Sequence, residues 1–533
     1  MRIITPEVLA QRLGERSELA ILDAREMGEF GQAHLFWAVP CPLSIADLIA
    51  PQLLPRRSVP VVAVDAGLGH AERLAATLER LGFHDVSLLG GGIEAWRGAG
   101  FALFNGINVP SKAFGEWVEQ HYATESIDAT ELKQCCDTGT QMLIFDARTF
   151  EEFGRMNIPG GISVPGGELV YRIADLAPDP ATLVVVNCAG RTRSILGAES
   201  LRRAGIPNKV VALRNGTMGW ELAGFACERG ASRRYTPGTP ASLALALARA
   251  ARFAREMGVR VIDRGQLATL SADPARTLYL LDVRSPEEYL AGHLPGSRSA
   301  PGGQLVQATD HWIAVRGACI VLIDDTGVRA RMAGGWLRQM GPWDVCVVDG
   351  ALEPGPRSRL EAGAERRMEP PSVEAITAAE LLAWHGQPGT VIVDCARSLD
   401  FRAGHIPGAL WAIRSRIAAL VTALASAQRV VVTSPDGWLA CHTAGELAAL
   451  TEAPVRALTG GTRAWIAAGQ KLSVTPADPP DRASVDVHLR PYDRSSGIAA
   501  AMRAYLAWET GLPEQAAHEA SVAFGEALRH ASL

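Results

Sequence analysis

Short, wholly apolar runs recur along the chain, and each is followed by a stretch whose apolar positions have helical spacing. Val61-Val62-Ala63-Val64, Leu183-Val184-Val185-Val186, Val321-Leu322-Ile323 and Val430-Val431-Val432 are the clearest. Strands apolar on both faces, alternating with helices, predict a parallel sheet covered on both sides. Ligands on such sheets bind beyond the carboxyl ends of the strands. The alternation repeats four times, which predicts an α/β chain of four tandem units, each a small parallel sheet flanked by helices. The expected units are 1–103, 126–230, 258–353 and 372–473. A linker helix (104–125, helical from Lys112 to Tyr122) and a helix-bearing linker (231–257, helical from Leu243 to Met257) join the first three. Pro354 to Pro371 forms a third break. A polar, proline-rich segment then leads into a C-terminal helical tail, 474–533, with helices expected from about Gly497 to Trp508 and from about Glu514 to Leu528.

The repeat has landmarks beyond its hydrophobic pattern. Three units carry Asp-x-Arg at a strand end: Asp23-Ala24-Arg25, Asp146-Ala147-Arg148 and Asp282-Val283-Arg284. The fourth has one extra residue, Asp394-Cys395-Ala396-Arg397. A turn follows 11 residues after the Asp in every unit, at His34, Asn157, His293 and His405. The next strand end lies 42, 42, 43 and 40 residues after the Asp, at Asp65, Cys188, Asp325 and Ser434. A late Gly-x-x-x-Trp turn ends at Trp96, Trp220 and Trp465, and the third unit has Gly350 without the Trp. The Asp-Arg pairs, the histidines and the tryptophans persist in units without a thiol, so they are read as structural. Pro165-Gly166-Gly167-Glu168 and Pro301-Gly302-Gly303-Gln304 occupy matching places and are read either as a loop over the pocket or as a plain turn.

Composition narrows the class without changing this picture. The 533 residues are 48% hydrophobic and 20% charged, with a formal net charge of −5, which offers no support for a nucleic-acid or membrane-surface binder. The N-terminus lacks a signal-peptide pattern, and no apolar run reaches the length of a membrane span. Nine cysteines without a Cys-x-x-Cys suit neither a disulfide scaffold nor a zinc ribbon. A reducing, cytoplasmic setting is expected, with no metal and no organic cofactor.

One strand end carries chemistry. Cys188 begins the loop Cys188-Ala189-Gly190-Arg191-Thr192-Arg193-Ser194, which feeds a helix. Backbone N–H groups at a helix start, with two nearby arginines, favour a thiolate and an anionic ligand. Arg191 and Arg193 are candidate anion contacts. Thr192 and Ser194 are candidate hydroxyl donors or caps, and Gly190 permits a tight curl. Asp65, Asp325 and Ser434 stand where Cys188 stands, without a thiol.

Asp-x-Arg, His-Ile-Pro-Gly-Ala, a strand-end Cys loop ahead of a helix and a late Gly-Gly-x-x-x-Trp together resemble the landmarks of rhodanese-like sulfurtransferases. The resemblance covers roughly residues 1–473 and implies a tandem four-domain member with one catalytic domain. It implies that Cys188 attacks the outer sulfur of a donor such as thiosulfate, expels sulfite and carries a persulfide to cyanide or a thiol. Residues Ala189 to Ser194 would form the substrate loop. Cys188 to Arg193 spans Cys-x4-Arg, one residue shorter than the Cys-x5-Arg phosphate loop of cysteine phosphatases, and this favours sulfur over phosphate. Members that use mercaptopyruvate resemble Cys-Gly-x-Gly-Val-Thr, which this loop does not. The alternative reading is a persulfide carrier or scaffold that receives sulfur from a partner protein. The tail helices are candidates for homodimer contacts.

Overall fold

The computed structural model describes residues 2–15, 17–353, 360–364 and 367–526. The last residues of the tail (527–533, including Leu528) and residues 354–359 and 365–366 of the break lie outside these. Each unit is a five-stranded parallel sheet flanked by helices. In the second unit the spatial order is Ser126–Ile127, Val210–Leu213, Leu183–Asn187, Met142–Asp146 and Ile162–Ser163. The other three sheets follow the same order. The central strand of each is almost wholly buried, as its continuous apolar run requires.

The Asp-x-Arg motif locks the strand end to the next turn. Asp146 Oδ1 accepts from the Arg148 amide (3.1 Å) and Nε (2.9 Å), while Oδ2 accepts from Nη2 (2.7 Å). The same Nη2 donates to the Met156 carbonyl at the end of the following helix. Asp23–Arg25 and Asp282–Arg284 repeat the arrangement, buried in each case. In the fourth unit the extra residue carries Arg397 outward to Asp400. Among the described residues Asp394 keeps only the Ala396 amide on Oδ1, and its buried Oδ2 has no partner. His34, His293 and His405 stack on Phe30, Tyr289 and Phe401, with each Nδ1 against a main-chain carbonyl. Trp96, Trp220 and Trp465 are buried, and each donates its indole N–H to a carbonyl six residues on.

The linkers are part of the core. The linker helix Val109–Tyr122 and the helix Pro240–Glu256 join one continuous apolar cluster that runs through units one to three. The short strand Val315–Arg316 of unit three pairs antiparallel with Leu19–Ala20 of unit one. The two Pro-Gly-Gly turns meet back to back, with Gly167 against Gly302 and Gly303. The tail differs from expectation. One continuous helix, Ile498–Ala517, runs through Pro513 and replaces the two expected helices. Leu512 and Ala516 are buried against the main core, and this packing outweighs the cost of an internal proline. No described helix is long and apolar enough to cross a membrane.

Burial pushes the Asp394 carboxyl up to about 7. A folded-state pKa above the unfolded value near 3.9 means that the folded chain holds the extra proton. Stability contributed by that proton is present below about pH 4 and is lost as pH rises through 7. Asp394→Asn is therefore expected to raise the unfolding temperature at pH 8, with the gain shrinking at pH 5. Thermal unfolding at the two pH values checks this, and an equal shift at both would contradict it.

Candidate active site

The strand Leu183–Asn187 leads directly into Cys188, and the helix Thr192–Ala204 begins four residues after it. Cys188 is only 2% exposed. Its thiol lies 3.5 Å from Ser194 Oγ as donor, and the Ser194 hydroxyl donates to the Arg191 carbonyl at 2.7 Å. The Thr217 amide donates to the Cys188 carbonyl at 2.9 Å. Gly216, at φ +55°, makes that approach possible, since a Cβ there would lie 2.3 Å from the carbonyl oxygen. The late Gly-x-x-x-Trp turn thus braces the loop from below.

Strand register fixes which residues are equivalent to Cys188. Asp146 pairs with Asn187, Asp23 with Val64, Asp282 with Ile323 and Asp394 with Thr433. The next residues are Cys188, Asp65, Asp324 and Ser434. The expected Asp325 is therefore corrected to Asp324. Asp325 lies one position beyond, at the surface, where its carboxylate takes Arg329 Nη2 at 2.6 Å.

The equivalent residues show what this point in the fold holds. The Asp65 carboxylate accepts the amides of Gly67 (2.8 Å), Leu68 (3.1 Å), His70 (2.8 Å) and Ala71 (3.2 Å). Asp324 accepts the amides of Arg329 (2.8 Å) and Ala330 (3.3 Å), plus Arg329 Nε (3.0 Å). Ser434 Oγ accepts the Ala440 amide at 3.1 Å. A curl of backbone N–H groups is an anion cradle, and in units one and three the chain's own carboxylate fills it. At Cys188 the same offsets fall on Gly190, Arg191, Arg193 and Ser194; the Ser194 amide donates to the Arg191 carbonyl at 3.1 Å, and the other three amides have no acceptor among the described residues.

The two loop arginines do different work. Arg191 turns out of the loop. It holds Glu116 of the linker helix through two bonds (2.6 and 2.7 Å) and also reaches Glu119 and Asn215. Burial pushes the Glu116 carboxyl up to about 7, against the pull of Arg191. Arg193 pairs with Glu152 (2.6 and 2.8 Å), the capping-box residue of the helix Phe150–Arg155. Burial opposes the Arg193 charge, but Glu152 and then the Cys188 sulfur outweigh it. The guanidinium of Arg191, an expected substrate contact, is thus taken up by a structural ion pair, and that of Arg193 is held by Glu152.

The tail roofs the loop. Thr192 Oγ1 donates to Glu509 Oε1 at 2.6 Å, and Lys112 Nζ of the linker helix donates to the same oxygen at 3.3 Å and to Tyr505. A Cβ on Gly190 would lie 3.1 Å from Tyr505. Met502 and Leu506 pack with Met218, alongside Ala189, Leu222 and Tyr505. As for metal ligation, Cys319, Asp344 and Cys346 bring ligand atoms within 4.8 Å of one another. Both Asp344 oxygens already accept from Arg260, one of them also from Arg276, so the group suits a cation poorly.

Comparison with known proteins agrees with this geometry. The model of the rhodanese-like domain matches residues 5–99, 128–223, 263–354 and 377–468. The chain belongs to the rhodanese-like family. The crystal structure of a thiosulfate sulfurtransferase from Pseudomonas aeruginosa is 46% identical, with coverage of 98% of this chain and 99% of that one and a TM-score of 0.92. A curated HTH-type transcriptional regulator, Rv0324 of Mycobacterium tuberculosis, is 32% identical over 108 residues, which is 20% of this chain and 46% of that relative's length. The Alr3790 protein from Anabaena sp. is 30% identical over 20% of this chain and 84% of that one, with a TM-score of 0.19.

Within this rhodanese-like frame, Lys112, Glu116, Glu152, Tyr505 and Glu509 are the site residues that sequence reading missed. Only Glu152 had a local signal, the Thr149-x-x-Glu152 capping box. The roof predicts that Leu506→Ala, which opens a cavity above Met218 at a cost of about 2–5 kcal/mol, speeds alkylation of Cys188 by iodoacetamide. Mass-spectrometric alkylation rates check this, and an unchanged rate would contradict the roof.

Proposed function

We propose that this chain is a sulfurtransferase whose second domain moves sulfane sulfur from thiosulfate through a Cys188 persulfide. The observation that carries the reading is the open cradle. Of four equivalent strand ends, Cys188 alone has a thiol, and the amides of Gly190, Arg191 and Arg193 are left for an anionic sulfur. The thiosulfate sulfurtransferase from Pseudomonas aeruginosa, 46% identical over nearly the whole chain, supports the choice of donor.

The chemistry follows from the loop. The Cys188 thiolate forms a bond to the outer sulfur of thiosulfate, and the bond to the sulfonate sulfur breaks, so sulfite leaves with the electron pair. The terminal sulfur of the persulfide then occupies the cradle, which the Asp65 carboxylate fills in the first domain. Arg193 and the Thr192–Ala204 helix start favour the negative charge at both stages. A thiolate or cyanide attacks the terminal sulfur, removes it and regenerates the Cys188 thiolate. At 2% exposure under the tail helix, the sulfur is matched to a small donor, and this favours thiosulfate over delivery by a partner protein. Phosphoryl chemistry has less support, because the ring is short and its arginines are held by carboxylates. The other three domains have no sulfur-bearing atom at the cradle and serve as scaffold.

In an assay of sulfite and thiocyanate release from thiosulfate and cyanide, the wild type is expected to turn over and Cys188→Ser to lose activity to background. Undiminished turnover in Cys188→Ser, or none in the wild type, would overturn the reading.

A further inference from the structure

Ten arginines are buried among the described residues, and nine have a carboxylate within 4.0 Å. The tenth is Arg316, 7% exposed, on the strand that unit three lends to unit one. Its Nη1 donates to the Leu13 carbonyl at 2.9 Å, and its guanidinium lies 5.0 Å from the Trp37 ring centroid. Its Nε is buried with no acceptor. Burial pulls its pKa down to about 10, with only a distant Glu519 opposing. A buried charge without a counter-charge is costly, and proteins normally pair it.

Arg316 lines a cavity of about 430 Å³ where units one and three meet the segment after the tail helix. A second guanidinium, Arg338, lines the same space. Its Nη1 goes to the Trp343 carbonyl at 2.8 Å, and its Nε is likewise buried without an acceptor. Two indoles form a corner, Trp37 edge-on to Trp343 at 6.2 Å. Both indole N–H groups are already used, on Ser521 Oγ and the Val315 carbonyl, so the rings present apolar surface. Three acids line the cavity: Asp344 is held by Arg260 and Arg276, Glu15 accepts from Ser17 Oγ, and Glu526 has a partner of its own.

We propose that this cavity is a binding site, separate from the sulfur loop, for a small organic oxyanion whose carboxylate or sulfonate meets Arg316 and Arg338 and whose flat apolar body lies against Trp37 and Trp343. Volume, concavity and a few convergent polar groups on apolar walls are what small-molecule sites share. Paired guanidinium N–H groups are the usual partners of planar oxyanions. The site does not depend on the sulfur-transfer reading, and its ligand need not be a sulfur compound.

The test is isothermal titration of the full chain in a Cys188→Ala background, which removes the reactive thiol. The probes are benzoate and benzenesulfonate, with inorganic sulfate as comparison. The expected result is one site for an aromatic probe, weakened roughly tenfold or more by Arg338→Met and likewise by Arg316→Met. Circular dichroism establishes that each variant is folded. No binding of either aromatic probe, or undiminished binding in both folded variants, would overturn the proposal. Sulfate binding as tightly as benzoate would overturn the assignment of a flat apolar body.

Discussion

The structure turns on who satisfies the backbone N–H groups at the start of the helix after the central strand. In each unit the chain curls there, and the amides point at one spot. Asp65 and Asp324 place a carboxylate on that spot, and Ser434 places a hydroxyl. Such bonds to a charged acceptor rank among the stronger ones, and leaving buried donors unmet costs about 1–3 kcal/mol each. Three units thus spend the cradle on their own stability. The second has no side chain of its own on that spot, and so holds its loop by other means.

Those other means come from far along the chain. Arg191 is tied to Glu116 and Glu119 of the linker helix, and Arg193 to Glu152 of the preceding helix. Thr192 is tied to Glu509 and, through it, to Lys112. The linker helix and the tail helix pack against each other and close over the loop. The preorganisation that a self-filled cradle supplies locally in unit one is supplied in unit two by segments about 75 and 317 residues away in sequence. This also gives the second domain its low-exposure thiol.

The fold was largely legible because its signals are local. Buried strands, Asp-x-Arg locks, capping boxes and glycine turns each depend on residues close in sequence, and their spacing carried through four copies. What failed, failed for physical reasons. The third strand end is expected at Asp325, 43 residues after Asp282, but the adjacent Asp324, at the 42 of the first two units, is the residue that strand register puts there. The direction of Arg191 was illegible because its partners lie on another element. Two tail helices are expected, one ending near Trp508 and one starting near Glu514, but tertiary packing of Leu512 and Ala516 carries a single helix across that interval and through Pro513. The loop itself, Cys188 to Ser194, was legible as a strand-end helix start. Its roof was not, because nothing in the tail sequence names its partner.

The central claim is that one cradle in four is open to sulfur. Peptide mapping by mass spectrometry of the thiosulfate-treated protein tests it most directly, with all nine cysteines followed. The account predicts a one-sulfur adduct on the Cys188 peptide and on no other. An adduct on a different cysteine with Cys188 unmodified, or no adduct at all, would contradict it.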